Sequence, residues 1–344
     1  MKLRKWVKVT IGVITGVIVV SAVGYIGINM YVDSLISNVN QTEEIKYEDA
    51  KIASSVSEQT KDRNVVNIAM FGTDHDADES DSASERADAN KIISLDFDNK
   101  QIKITSVQRD NLIYIPDPID DFDKLNHAYW YGGPQLSIKT LNANLDLDIT
   151  KYVSFSFSSV EKIVDLLGGV DIYLNNTELS VTGEYSVGIN GSAGTDHLNG
   201  HQALVYCRTR SVDSDYQRIE RQNAVISAIV STLKSKSVFE LMGLVDDVLP
   251  LIETNLTASE IKDYVTSCLS FDLNNIQQFK VPANEYEDVK IRSYKGYSPL
   301  YLLRSYSEEV INVHKNIYGD DDYQPSEQLL EIENNIYDVF GPWE

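Results

Sequence analysis

Six of the chain's ten arginines fall in three short segments: Arg86 in ERAD, Arg109 in QRD, and Arg208, Arg210, Arg218 and Arg221 in CRTRSVDSDYQRIERQ. The planar guanidinium fork matches phosphate oxygens two at a time, so this concentration in an acidic chain points to local capture of an anion. A surface helix pairing Arg with Glu at four-residue spacing would absorb Arg221 or Glu220. It would not also absorb Arg86-x-Asp88 and Arg109-Asp110, which follow apolar runs near strand ends, where open α/β sheets place their sites.

A second cluster is acidic. Between Gly72 and Asp88 the sequence GTDHDADESDSASERAD carries Asp74, Asp76, Asp78, Glu79, Asp81, Glu85 and Asp88. Asp74, Asp76, Asp78 and Glu85 fit four positions of a calcium-loop template, but Glu79 stands where the sharp turn needs glycine, and a strand precedes the loop instead of a helix. A carboxylate pair at the loop's two ends, holding Mg²⁺ against a phosphate, fits better, because Mg²⁺ takes one or two carboxylates together with substrate phosphates. The middle, Asp78 to Asp81, reads as a solvated loop. His197 and His201 are separated by the turn signal Asn199-Gly200, and His75, His127 and His314 are isolated, so all five histidines read as structural rather than as zinc ligands. There is no G-x-S-x-G elbow and no phosphate-binding glycine loop.

The elements that must position these groups alternate along the chain. Val65 to Phe71 is an apolar run of strand length ending at Gly72, and Lys91 to Phe97 and Gln101 to Val107 are β-rich runs joined by Asp98-Asn99-Lys100. Gln135 to Leu145 has helical spacing. Tyr152 to Phe157 reads as a strand, Ser159 to Leu167 as a helix stopped by Gly168-Gly169, and Val170 to Leu174 as the next strand. Such units predict an α/β fold with a largely parallel sheet covered by helices. Gln202 to Leu233 reads as helical across most of its length, Ala258 to Leu269 and Pro299 to Ile317 as helical, and residues 319–344, with Asp320-Asp321-Asp322, as a loose acidic tail.

The 344 residues are 42% hydrophobic and 24% charged, which fits a folded globular chain and argues against disorder. A net charge of −22 speaks against general nucleic-acid binding, since a phosphate polymer would be repelled. Cys207 and Cys268 are too few for a disulfide scaffold and are expected as buried free thiols. Residues 1–8 carry Lys2, Arg4, Lys5 and Lys8 without an acid, and residues 9–32 carry no charge at all. At 1.5 Å per residue the latter span about 36 Å, enough to cross a hydrocarbon core, and too long for a signal-peptide core. The expected layout is a cytoplasmic segment 1–8, an uncleaved membrane anchor 9–32, a polar stalk 33–62, a globular domain 63–318 held outside the cell membrane, and the tail 319–344. Beyond the anchor, 26 bases face 52 acids.

The order FGTD, RAD, SVQRD, LNHAYWYGG, VDLLGGVDIYL, HLNGHQALVYCRTR, DSDYQRIERQ closely resembles the LytR–CpsA–Psr family of envelope phosphotransferases, from about Val65 to Lys234. The resemblance implies an α-β-α sandwich with an apolar groove for a polyprenyl tail, in a single-pass protein of a Gram-positive cell membrane. It implies transfer of a glycopolymer phosphate (wall teichoic acid, capsule or another wall polysaccharide) from a polyprenyl-diphosphate lipid to a sugar hydroxyl of peptidoglycan. Asp74 and Asp88 would then hold Mg²⁺, or Mn²⁺ in its place. Arg86, Arg109, Arg208, Arg210, Arg218 and Gln222 would hold the diphosphate, with Arg86, Asp88, Arg109 and Arg218 closest to the chemistry. Arg221 has a weaker family counterpart and is expected to face solvent. The segment before Arg109 departs from the family by having Ser-Val-Gln where a proline is usual. Asp88 and Asp110 both qualify as acceptor of the incoming hydroxyl's proton, and Ile163 to Leu167 and Val225 to Leu233 as groove wall, with helical packing the main use of their side chains. Two other readings remain open: a lipid-diphosphate hydrolase using water as acceptor, and a non-catalytic membrane-anchored binding or regulatory protein.

Overall fold

Asp98-Asn99-Lys100 forms a tight reversal: the Asp96 carboxylate accepts from the Asn99 backbone N–H at 2.9 Å, and Lys100 takes a left-handed φ of 54°. A turn this short forces the strands it joins to run antiparallel. The structure is a computed structural model, describing residues 40–74, 85–182, 193–209, 214–236, 247–268 and 270–343, with 240 and 244. Its elements are β1 (Asn40–Gln41), α1 (Ser54–Thr60), β2 (Val65–Thr73), β3 (Ala87–Asp96), β4 (Gln101–Val107), β5 (Leu112–Ile115), β6 (Asp121–Lys124), α2 (Leu125–Leu145), β7 (Lys151–Ser156), α3 (Phe157–Leu167), β8 (Val170–Leu174), α4 (Asn176–Thr182) and β9 (Gly194–Leu198). There follow α5 (Gly200–Arg208), α6 (Asp215–Lys234), β10 (Glu253–Thr254), α7 (Ala258–Cys268), β11 (Gln277–Val281), β12 (Val289–Tyr294), β13 (Tyr297–Leu303), α8 (Tyr306–Tyr318) and α9 (Glu327–Phe340).

Seven strands make the central sheet in the order β1-β10-β7-β2-β3-β4-β11. The sheet is mixed, not largely parallel: β2, β3 and β4 form an antiparallel meander, while β7 joins β2 and β11 joins β4 in parallel. The expected strand–helix–strand unit also fails. Gly168, at φ 87°, ends α3, and the chain turns away so that β8 pairs antiparallel with β9 outside the main sheet.

The sheet's alternation gives it two apolar faces. On one, Ala69, Phe71, Ile92 and Tyr152 pack with Leu136, Leu141, Val310, Val313 and Ile317 from α2 and α8. On the other, Ile68, Leu95, Leu256 and Phe271 pack together at one end, while α3, α5 and α6 cover the opposite end. This is the expected α-β-α sandwich. Helix α2 kinks at Gly132-Gly133-Pro134, where Gly133 takes φ 60° and ψ −156°, a region open essentially to glycine alone.

Three segments differ from their sequence reading. Residues 297–303 are strand β13, and helix α8 begins only at Tyr306, capped by the Ser305 hydroxyl; Pro299 has no N–H to donate to a helix and sits on the outer pair β12–β13. The segment 33–62, expected as a stalk, docks within its described part: Ile45 and Ala50 enter the core, and Asn142 donates to the Ala50 carbonyl at 2.8 Å. The tail 319–344 contains α9, whose Leu329, Ile332 and Ile336 are buried. Buried Asp146 holds its start, accepting from the Ser326 N–H at 2.7 Å, the Ser326 hydroxyl at 2.6 Å and the Tyr323 hydroxyl at 3.0 Å. The repeat of apolar residues in LLEIENNI carried this helix, masked in composition by its acids.

The anchor expected at 9–32 lies outside the described residues, and among the described residues no helix is long and apolar enough to cross a membrane. Because Ile336 is fully buried, Ile336→Ala is expected to lower unfolding stability by about 2–4 kcal/mol in a denaturant titration, whereas a loose tail would leave it unchanged.

Candidate functional site

The β2–β3 register skips one residue: Gly72 opposes Ala89 and Thr73 opposes Ala87, which leaves Asp88 unpaired in a bulge. A bulge re-aims its side chain, and this one turns the Asp88 carboxylate into the end of the sandwich where two other segments meet. Arg109, just past β4, donates from Nη1 to Asp88 Oδ1. Arg218, in the first turn of α6, lies with Nη1 3.9 Å from Asp88 Oδ2 and donates from Nη2 to the Asp88 carbonyl at 3.4 Å. Residues 21 and 130 positions from Asp88 in sequence thus converge on one carboxylate.

Asp74 closes the neck of the acidic loop. Its N–H donates to the Arg86 carbonyl at 3.2 Å, and its carboxylate accepts from the Arg86 N–H at 2.8 Å. The Arg86 guanidinium stacks over the Trp130 ring at 5.2 Å. Gln108 explains the departure from proline. It is fully buried, and its N–H donates to the Val281 carbonyl at 2.9 Å, a bond that proline cannot make.

Between the sheet and helices α3, α5 and α6 lies a cavity of ≈ 450 Å³. Asp74, Asp88, Arg208, Arg218 and Gln222 line its polar part, and Phe155, Val160, Ile163, Leu204, Ile226 and Ile229 belong to its apolar wall. One stripe of α6 supplies both: Arg218 and Gln222 come first, then Val225, Ile226, Ile229 and Val230, spaced three, four or one residue apart on a single face. Four apolar side chains of the 225–233 run therefore face the cavity instead of serving only as helix packing. In Ile163–Leu167 only Ile163 lines it, while Val164 and Leu167 are buried.

Of the sequence-predicted residues, Asp74, Asp88, Arg208, Arg218 and Gln222 line the cavity, and Arg109 reaches it through Asp88. Arg208 is exposed, its guanidinium over the Phe157 ring at 4.6 Å. Arg86 stands beside the mouth, on Asp74 and Trp130, without lining the cavity. Arg210 and the acids from Asp76 to Asp81 lie outside the described residues. Arg221, expected at the surface, is 2% exposed. It donates to the Thr209 carbonyl at 2.9 Å and lies 3.6 Å from the Glu178 carboxylate, holding α5 and α4 against α6. Between the two candidate proton acceptors, Asp88 borders the cavity. Asp110 does not, being buried and tied to Lys124 at 2.8 Å and to Arg109 at 3.5 Å.

Sequence reasoning missed Lys91, a buried lysine on the cavity wall, because a lone lysine in a β-run reads as an exposed strand residue. Cys207 and Cys268 are both free, as expected, but half-buried; Cys207 also lines the cavity, where burial pushes its thiol up to about 12. Among the described residues no three His, Cys, Asp or Glu side chains are grouped to hold a metal on their own. Two carboxylates at one cavity mouth, Asp74 and Asp88, do fit Mg²⁺ shared with ligand phosphates.

Such an arrangement defines a class: an α/β-sandwich protein with a cationic, carboxylate-bearing mouth opening onto an apolar-walled cavity. The chain belongs to the LytR_cpsA_psr family, whose profile matches residues 28–307. It is 27% identical over 305 residues to TagT of Bacillus subtilis (strain 168), named a polyisoprenyl-teichoic acid–peptidoglycan teichoic acid transferase, covering 86% of this chain and 90% of that one. It is 30% identical over 271 residues to TagU of Bacillus cereus (strain AH820), which carries the same transferase name, covering 77% of this chain and 82% of that one. A solved structure of TagT bound to LIIa-WTA aligns with a TM-score of 0.57 at 25% identity, over 75% of this chain and 91% of that one. The fold is shared with TagT carrying a bound octaprenyl pyrophosphate lipid, at a TM-score of 0.54 and 23% identity, over 74% of this chain and 91% of that one.

The two flanking arginines separate by role. Arg221→Ala leaves Glu178 buried beside no cation from α6 and is expected to cost about 3 kcal/mol of stability, whereas exposed Arg208→Ala is expected to stay within about 0.5 kcal/mol, both read from denaturant unfolding. Equal losses for the two would contradict this division.

Proposed function

We propose that this protein transfers a glycopolymer phosphate from a polyprenyl-diphosphate lipid to a sugar hydroxyl of peptidoglycan. The observation that carries the reading is the single cavity in which a cationic mouth, Arg208 and Arg218 with Gln222, continues into an apolar wall along the same helix. A polyprenyl diphosphate has that polarity, a dense anion on a long hydrocarbon, and a cavity of this size lies in the range of small-molecule sites. The relatives named as teichoic acid transferases support a transferase role.

Phosphoryl transfer asks a protein mainly for alignment and for neutralisation of charge on the equatorial and leaving oxygens. Arg218 and Arg208 bind the diphosphate oxygens, and Gln222 donates from its amide. Arg109 acts on Asp88, holding the carboxylate where it can accept the proton of the incoming hydroxyl. Asp74 and Asp88 would hold Mg²⁺, which supplies charge neutralisation on the phosphates when bound. The apolar wall shields the lipid side from water. The bond between the diphosphate bridging oxygen and the glycan-bearing phosphorus breaks, the new bond forms to the sugar oxygen, and polyprenyl phosphate leaves. The domain acts outside the cell membrane, with residues 9–32 as its anchor.

Full-length protein in lipid vesicles, given Mg²⁺, a lipid-diphosphate-linked glycan and peptidoglycan, is expected to yield wall-linked glycan. Asp88→Ala, Arg109→Ala and Arg218→Ala are each expected to lower the rate on the order of 100-fold or more. Free glycan phosphate without wall attachment would make the protein a hydrolase. Undiminished attachment by all three variants would overturn the assignment of these residues.

A further inference from the structure

Among the described residues, Lys91 is the one cation on the cavity wall that this reading leaves unused. It is 1% exposed and sits on β3 between Met70 of β2 and Ser106 of β4. Its ammonium donates to the Ser106 hydroxyl at 2.8 Å and to the Asn223 side-chain carbonyl at 2.7 Å. Both acceptors are neutral, and among the described residues no carboxylate forms an ion pair with it. An ammonium has three N–H donors, so two bonds leave one unspent.

A buried charge without an acid partner is costly, and a methionine would fill much the same space without that cost. The charged and titratable groups that face Lys91 are Cys207 from α5 and Arg218 and Glu220 from α6. The Cys207 thiol stays neutral, and exposed Glu220 is engaged by Lys280 of β11. Of the fixed charges that act on Lys91, the like charge of Arg218 therefore outweighs that of Glu220. Burial, with Arg218 adding in the same direction, lowers the Lys91 pKa to about 7. A polyanion seated in the mouth would reverse the balance that holds it there.

We propose that Lys91 is a further diphosphate-recognition residue, a buried cation beside Arg218 whose counter-charge is supplied by the bound ligand instead of by a carboxylate of the protein. The inference rests on the reading that the cavity takes a polyprenyl diphosphate. It assigns Lys91 to discrimination between the diphosphate that enters and the monophosphate that leaves, since loss of one phosphate removes much of the charge that offsets the buried ammonium. At neutral pH and above, the ammonium gains its proton from solvent as the diphosphate binds.

The test uses full-length protein in detergent micelles with Mg²⁺, and geranylgeranyl diphosphate and geranylgeranyl phosphate as probes. Lys91→Met is expected to bind the diphosphate about tenfold more weakly than wild type and the monophosphate within twofold, with a ligand-free Tm equal to or above wild type. Diphosphate affinity within twofold of wild type in Lys91→Met, alongside a clear loss in Arg218→Gln, overturns the inference alone. Equal losses for both probes with a lowered Tm also overturn it, because they mark a structural role. Failure of wild type to bind the diphosphate overturns the underlying reading and this inference with it. Should Lys91→Met not fold, wild type decides: calorimetry at pH 8 in two buffers of different ionisation enthalpy is expected to show proton uptake with the diphosphate, and absence of uptake overturns the proposal.

Discussion

One carboxylate holds the site together. Asp88 accepts from Arg109 and lies 3.9 Å from Arg218, so two guanidiniums from remote parts of the chain converge on a single negative charge. Two unit positive charges about 5 Å apart repel by roughly 3 kcal/mol at an effective dielectric of about 20. A shared anion turns that repulsion into a stable cluster, and among the described residues Arg86, Arg109, Arg208 and Arg218 still outnumber Asp74 and Asp88 around the mouth. The bulge makes this possible. In regular β pairing Asp88 would have a cross-strand partner and alternate with its neighbours; displaced from the ladder, it meets the end of β4 and the first turn of α6.

The second constraint is the division of labour along α6. Its face toward the sheet begins with Arg218 and Gln222 and continues as Val225, Ile226, Ile229 and Val230, so headgroup and tail of an amphiphile can lie in only one direction. Helix α6 is itself fixed by buried polar contacts: Arg221 ties it to α5 and α4, Asn223 to Lys91 and Ser106 of the sheet, and the Tyr216 hydroxyl to the Pro282 carbonyl at 2.9 Å. Two neighbouring arginines on this helix therefore do different work, one bordering the cavity and the other bracing the wall that makes it.

Local features were legible in the sequence where local physics decides them. The β3–β4 turn, the strand end at Val107, the glycine stop of α3 and the arginine clustering all follow from spacing and residue type. The strand direction was not legible, because parallel and antiparallel pairing use the same β-rich runs, and the run Val170 to Leu174 joins a separate hairpin instead of the main sheet. The Pro299 segment was misread for a similar reason: apolar spacing in YSPLYLL satisfies either period when no long window is available. Acidic residues hid α9, since its charged face dominates the composition while Leu329, Ile332 and Ile336 face the core. In the site, Arg109 and Arg218 could be named from motif and charge, but their meeting on Asp88 depends on a one-residue skip in register that no local pattern announces. Arg221 was misjudged and Lys91 missed because burial of a cation is decided by tertiary packing.

The central claim is that one ligand spans mouth and wall, with its diphosphate at the arginines and its hydrocarbon along α6. Photolabelling tests it most directly: full-length protein is irradiated with a polyprenyl diphosphate carrying a diazirine in its tail, and the attachment sites are mapped by mass spectrometry. Labels are expected on Val160, Ile163 and residues 225–230, suppressed by excess unlabelled diphosphate lipid and by Arg218→Ala. Labels confined to other surfaces, or unaffected by either competition or the arginine change, would contradict the account.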